Sequence, residues 1–175
     1  LEFAGLCNPP ISTKDFSMNR EDFWTDYLTK RGVIGPKLAE PVIDEFGDNP
    51  KLANELVGLI MEGKKTASCA LMYEYKKENE ELPVSGQVKL VVDGSYNPVC
   101  VIETTEVQVK PYREVDQGFA YDEGEDDRSY ESWDREHRKY FRRFLGQEGI
   151  EFDDKMLLVL ERFRLVYKGD HKPTC

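Results

Sequence analysis

Histidine is nearly missing from this chain, with two copies in 175 residues, His137 and His171. A metal centre built from several histidines of one chain is therefore excluded. The four cysteines, Cys7, Cys69, Cys100 and Cys175, form no Cys-x-x-Cys pair. The spacing of structural zinc sites and redox dithiols is thus absent. Apolar runs are short, as at residues 156–160, whereas a membrane-crossing helix needs about 20 such residues. Basic side chains are outnumbered 24 to 34, for a net charge of −10. Duplex DNA is therefore not an expected partner, because phosphate neutralisation needs an excess of Lys and Arg. Residues 1–6 carry neither the basic head nor the apolar stretch of a signal peptide. Scattered cysteines without an export signal lead to the expectation of a reducing, cytoplasmic location.

What is present describes a globular chain, 39% apolar and 33% charged, of a length suited to one domain. Residues 1–18 hold Pro9 and Pro10 with little periodicity and read as an arm. Residues 19–168 read as one domain and 169–175 as a polar tail. Asn19 is a candidate cap for a helix to about residue 31, with Phe23, Trp24, Tyr27 and Leu28 on one face and Gly32 and Gly35-Pro36 as its stop. Asp48-Asn49-Pro50 starts a second helix, whose stripe is Leu52, Leu56, Leu59 and Ile60 and whose stop is Gly63. A short helix is predicted over 71–80, and a strand over 87–93 with Val88, Leu90 and Val92 inward and Lys89 outward. Residues 99–109 are rich in β-branched side chains and predict one long strand or two short ones. Residues 118–127 read as an acidic loop. Ser129 is positioned to cap a helix to about 145, and 156–167 predict a final strand. The strands are mostly not separated by crossover-length helices, which argues against a doubly wound parallel sheet. The expected class is α+β: a small mixed or antiparallel β-barrel with flanking helices.

Three groups of residues carry chemical potential. Gly63-Lys64-Lys65-Thr66-Ala67-Ser68 places two lysines and two hydroxyls beside each other. A lysine of depressed pKa there could take a proton from a hydroxyl or a water. The competing reading is a basic turn at a helix C-terminus. It is not a phosphate-binding P-loop, since the first glycine is missing and the segment follows its helix. The acidic stretch Asp122, Glu123, Glu125, Asp126 and Asp127 suits a helix N-terminus, which accounts for Asp126 and Asp127 better than for Glu123. In the 129–145 helix, His137 shares a face with Trp133 and Phe141, as a core histidine bonded to backbone would. The basic residues on the other faces are expected to be solvated and paired with acids such as Asp134 and Glu136.

Taken in order, these segments resemble the ASCH domain of the PUA-like superfamily. The resemblance is carried by 63–68, Leu82-Pro83-Val84-Ser85-Gly86, the strand from Val99, Glu114-Val115, Phe119-Ala120, Glu123-Gly124-Glu125-Asp126, Trp133, His137, Phe141 and Glu161-Arg162-Phe163. It implies a PUA-like β-barrel and action on RNA or a modified nucleoside. One activity in the superfamily is hydrolysis of N(4)-acetylcytidine; another is cleavage of single-stranded RNA; some members only bind. For the amidohydrolases, the resemblance implies Lys65 as base, Ser68 as nucleophile in place of a Thr, and Glu123 as proton donor or orienting acid. Lys64, Thr66, Tyr73, Glu125, Trp133 and His137 are candidate substrate contacts, with Tyr73 or Trp133 suited to stack a base in the RNA reading. No cofactor and no metal are expected, and the partner is a nucleoside or single-stranded RNA.

Overall fold

The computed structural model describes residues 18–33 and 40–169. The expected arm up to residue 17, the stop at Gly35-Pro36 and the tail from residue 170 lie outside them. Helix α1 (Arg20–Lys30) starts where Asn19 Oδ1 accepts the backbone N–H of Asp22 at 2.9 Å. Its spacing of three and four buries Phe23, Trp24 and Tyr27 against Leu90, Val101 and Tyr167. Helix α2 (Pro50–Met61) is capped by Asn49, with Pro50 at its first position. Its buried stripe, Leu56, Val57 and Ile60, packs on Phe46, Ile102 and Phe163. Helix α3 (Met72–Glu78) is short and starts where the Leu71 N–H meets the Glu74 carboxylate at 3.0 Å.

Five strands are found among the described residues: β1 (Val42–Glu45), β2 (Ala67–Leu71), β3 (Val88–Val92), β4 (Pro98–Pro111) and β5 (Leu157–Lys168). Their order is β1-β3-β4-β5-β2, with β1 parallel to β3 and every other pair antiparallel. This is the expected mixed sheet, curled into a half-barrel. The β-branched stretch forms one strand of 14 residues. Its pairing with β5 shifts register at Val101/Ile102 and at Thr104/Glu106, and such irregularities bend and twist a ladder. The edge strands β1 and β2 thereby contribute to one cleft.

Three points depart from the sequence reading. No strand was expected at β1, because four residues after a proline give no usable period. Lys89 was placed outward by alternation, yet it is buried, because β3 lies inside the sheet and is covered on both faces. A third correction concerns 118–127, which is not one loop. Helix α4 (Gln117–Glu123), capped by Asp116 through the N–H of Phe119, occupies its first half.

Helix α5 (Tyr130–Gln147) is capped by Ser129, which accepts the Ser132 N–H at 3.1 Å. It presses Trp133, Phe141 and Leu145 into a cluster with Leu71, Tyr112, Phe119 and Leu158. Among the described residues no helix is long and apolar enough to cross a membrane. Phe141 is fully buried and meets Tyr112 edge-on at 6.1 Å. Phe141→Ala is expected to lower unfolding free energy by about 3–5 kcal/mol, read as a lower urea midpoint at unchanged slope.

Candidate active site

Residues 64–66 leave α2 as a connector that runs beside the end of α4. The Thr66 N–H donates to the Asp122 carbonyl at 2.8 Å, and the Thr66 hydroxyl donates to the same oxygen at 3.3 Å. That stitch drives the Lys65 side chain inward. Only 2% of Lys65 and 1% of Glu123 remain exposed. Lys65 Nζ donates to Glu123 Oε2 at 2.7 Å, to Glu125 Oε1 at 2.7 Å and to the Glu123 carbonyl at 3.3 Å. An ammonium has three hydrogens, and here each has an acceptor.

Charge settles the protonation of this pair. Burial alone opposes a charge on Lys65, but the Glu123 and Glu125 carboxylates outweigh it and raise its pKa. Burial likewise opposes ionised Glu123. Lys65, then His137, and hydrogen bonds from Lys65 and Cys69 overcome it and hold Glu123 below its ordinary value. The expectation of a depressed lysine pKa is therefore corrected. Both shifts favour Lys65 as ammonium and Glu123 as carboxylate.

Other side chains fix Glu123 from behind. Trp133 Nε1 donates to Glu123 Oε1 at 3.3 Å, and His137 Nε2 lies 3.6 Å from the same oxygen. Trp133 is buried and stacks on Tyr112, Tyr130 and His137. Cys69 bonds Glu123, and burial together with that carboxylate pushes its thiol pKa well up.

The site opens into a cavity of about 840 Å³ lined by Lys65, Ser68, Cys69, Glu123, Glu125 and His137 among others. Ser68 and Cys69 point to opposite faces of β2. Ser68 pairs with Glu161 of β5 and shares its face, whereas Cys69 packs toward the α5 side. Lys64, Thr66, Tyr73 and Trp133 are not among the lining residues. Lys64 pairs with Glu62 at 2.7 Å on the surface, and the Tyr73 hydroxyl points to Glu148.

A second buried cluster lines the same cleft and went unnoticed in the sequence. Lys89 Nζ donates to Glu161 Oε2 at 2.7 Å and to Asp44 Oδ2 at 3.0 Å. The Thr104 hydroxyl donates to Glu161 Oε1 at 2.5 Å. Burial raises the Asp44 pKa, and it lifts Tyr75 nearby to about 12. The available signals were a lysine inside Val88–Val92 and a glutamate inside the apolar run of β5. At the cleft mouth, Arg135, Lys139 and Arg143 of α5 stand at intervals of four. They are paired with Asp126, Glu136 and Asp48.

Gly124 makes the close approach of the two loops possible. Its φ is +75°, and a Cβ there would lie 2.3 Å from the Lys64 carbonyl oxygen. Gly124→Ala is expected to cost more than about 1 kcal/mol in chemical denaturation. The ion pair gives a pH prediction. Stability from Glu123, whose pKa is lowered on folding, is present above its unfolded value and lost as pH falls through the folded one. Stability from Lys65, raised on folding, is present below its unfolded value and lost as pH rises through the folded one. In Lys65→Met, burial of Glu123 has lost its main opponent. That variant is expected to be about 3–5 kcal/mol less stable near neutrality and to recover stability on mild acidification, whereas the wild type loses it.

The ASCH domain family matches residues 42–167. Among solved structures, protein EF3133 of Enterococcus faecalis V583, described under family DUF984, is 34% identical over 86% of this chain and 89% of its own, with a TM-score of 0.77. An ASCH domain from Lactobacillus crispatus is 36% identical over 85% of this chain and 94% of its own, with a TM-score of 0.75. No curated protein matches the chain.

Proposed function

This chain belongs to the ASCH domain family, and from that premise we propose that it is a hydrolase for the acylated exocyclic amine of a nucleoside, of the N(4)-acetylcytidine type. The observation that carries the reading is the buried Lys65–Glu123 pair opening on a cleft that also holds Ser68. An unassisted serine hydroxyl is a poor nucleophile near neutral pH, and an ionised carboxylate in the cleft supplies the missing base.

In this reading Ser68 Oγ attacks the amide carbonyl carbon and forms the C–O bond. Ser68 lies on the Glu161 side of β2, so its proton crosses the cleft to the Glu123 carboxylate through one water. Negative charge gathers on the carbonyl oxygen and is stabilised by the Lys65 ammonium, a preformed charge in a site shielded from water. Collapse breaks the C–N bond, and the proton returns from Glu123 to the leaving nitrogen. Water then attacks the ester with Glu123 accepting its proton; the carbon–Oγ bond breaks, Glu123 returns that proton to Ser68 Oγ, and the carboxylic acid leaves. Lys65 thus acts by charge, with the base role moved to Glu123. A nucleoside carries no phosphate, which accords with the net charge of −10.

A second reading, cleavage of single-stranded RNA, is favoured by one observation, the row Arg135, Lys139 and Arg143 at the cleft mouth. It predicts binding that weakens steeply with salt. The test is acetate and cytidine release from N(4)-acetylcytidine, followed by chromatography at low and high salt. Turnover that is insensitive to salt and falls at least about 100-fold in Lys65→Ala and in Ser68→Ala is expected. Absence of turnover, with salt-dependent RNA cleavage, would favour the second reading. RNA affinity without cleavage would make this chain a binding module.

A further inference from the structure

Cys69, Glu123 and His137 bring one sulfur, one carboxylate oxygen and one imidazole nitrogen within 4.8 Å of one another at the cleft wall. We propose that these three side chains form a binding site for a borderline divalent transition metal such as zinc or cobalt.

Four features of the geometry support this. The first is the orientation of His137. Its Nδ1 lies 2.9 Å from the Trp133 carbonyl oxygen. A carbonyl only accepts, so Nδ1 carries the hydrogen. Nε2 is left facing Glu123 at the cleft. Metal-binding histidines are typically held in this way, with the second nitrogen donating to a backbone carbonyl.

The second is how Glu123 divides its oxygens. Oε2 takes the Lys65 ammonium, while Oε1 faces His137. A cation at Oε1 leaves the Lys65 bond intact, and Lys65 keeps Glu125 as its other partner. Lys65 and Trp133 then orient the ligating carboxylate from outside the coordination sphere. The third is charge. The Glu123 and Glu125 carboxylates stand together at the site and favour a cation beside them. The fourth is shape. Three ligands facing a cavity leave the fourth position of a tetrahedron open, the arrangement of zinc sites that take water or substrate.

The donor set also selects the ion. A mixture of sulfur, nitrogen and oxygen suits zinc or cobalt and does not suit magnesium or calcium, which prefer all-oxygen shells. Ligands at about 2.0–2.3 Å from a tetrahedral metal lie roughly 3.3–3.8 Å apart. The three atoms therefore need to draw together by about 1 Å from their 4.8 Å limit, within reach of side-chain adjustment. Binding breaks the S–H bond of Cys69, forms the sulfur–metal bond and releases the proton to buffer.

This site rests on geometry alone and not on amide hydrolysis, so its test reads binding rather than turnover. The full chain, reduced with a non-thiol reductant, is titrated with cobalt(II) and followed by absorption. One equivalent is expected to give a thiolate-to-cobalt charge-transfer band that zinc displaces and that magnesium and calcium leave in place. The band should vanish in Cys69→Ser, persist in Cys100→Ser, and need at least about tenfold more cobalt in His137→Gln. Circular dichroism checks the fold of each variant. If Cys69→Ser does not fold, His137→Gln decides. Absence of a thiolate band in the wild type overturns the proposal. So does a band that survives Cys69→Ser or is unmoved by His137→Gln. A band without N(4)-acetylcytidine turnover retains the metal site and rejects the hydrolase, and turnover without a band does the reverse.

Discussion

One buried ammonium organises this molecule. Lys65 is buried, and it is kept charged by two carboxylates, Glu123 at the end of α4 and Glu125 two residues on. Removing either side of such a pair strands a charge in a low-dielectric interior, which is why breaking a buried pair costs far more than the intact pair contributes. The pair also joins segments remote in sequence, the connector after α2 and the end of α4. Backbone bonds from Thr66 to Asp122, and a glycine that lets the two loops touch, serve that same junction. Fold and site are therefore not separable here: the contact that closes the domain is also the one that charges the cleft.

The cleft has two such centres. Lys65 with Glu123 and Glu125 lies toward α5, and Lys89 with Asp44 and Glu161 lies toward the sheet interior. Strand β2 runs between them, with Ser68 turned to the second and Cys69 to the first. A substrate in the cavity meets fixed charges on both sides. Rigid, pre-oriented charge would favour the proposed acyl transfer, since no energy is then spent in reorienting dipoles as charge develops.

Much of this was legible in the sequence, and the exceptions have physical reasons. The caps Asn19, Asn49 and Ser129 each start a helix where expected, because a cap is a local hydrogen bond and leaves a local signature. The long strand β4 follows from its run of β-branched residues. Strand β1 has no such signature, since a short edge strand exists only through its partner. Lys89 was misplaced for a related reason: alternation assumes one wet face, and a central strand has none. Glu123 was picked out as the acid that a helix N-terminus explained poorly, and it proved to be the buried one. The protonation of Lys65 was not legible at all, because it depends on two carboxylates 58 and 60 residues away.

The account stands on Lys65 remaining charged inside the protein, and nitrogen-detected NMR of its side-chain amine measures that directly. Lys65→Arg supplies the assignment by removing one signal. An amine that stays protonated as pH rises through the ordinary lysine value of about 10.4 is the predicted result. A Lys65 amine that loses its proton below that value would contradict the account and would leave the lysine able to act as a base.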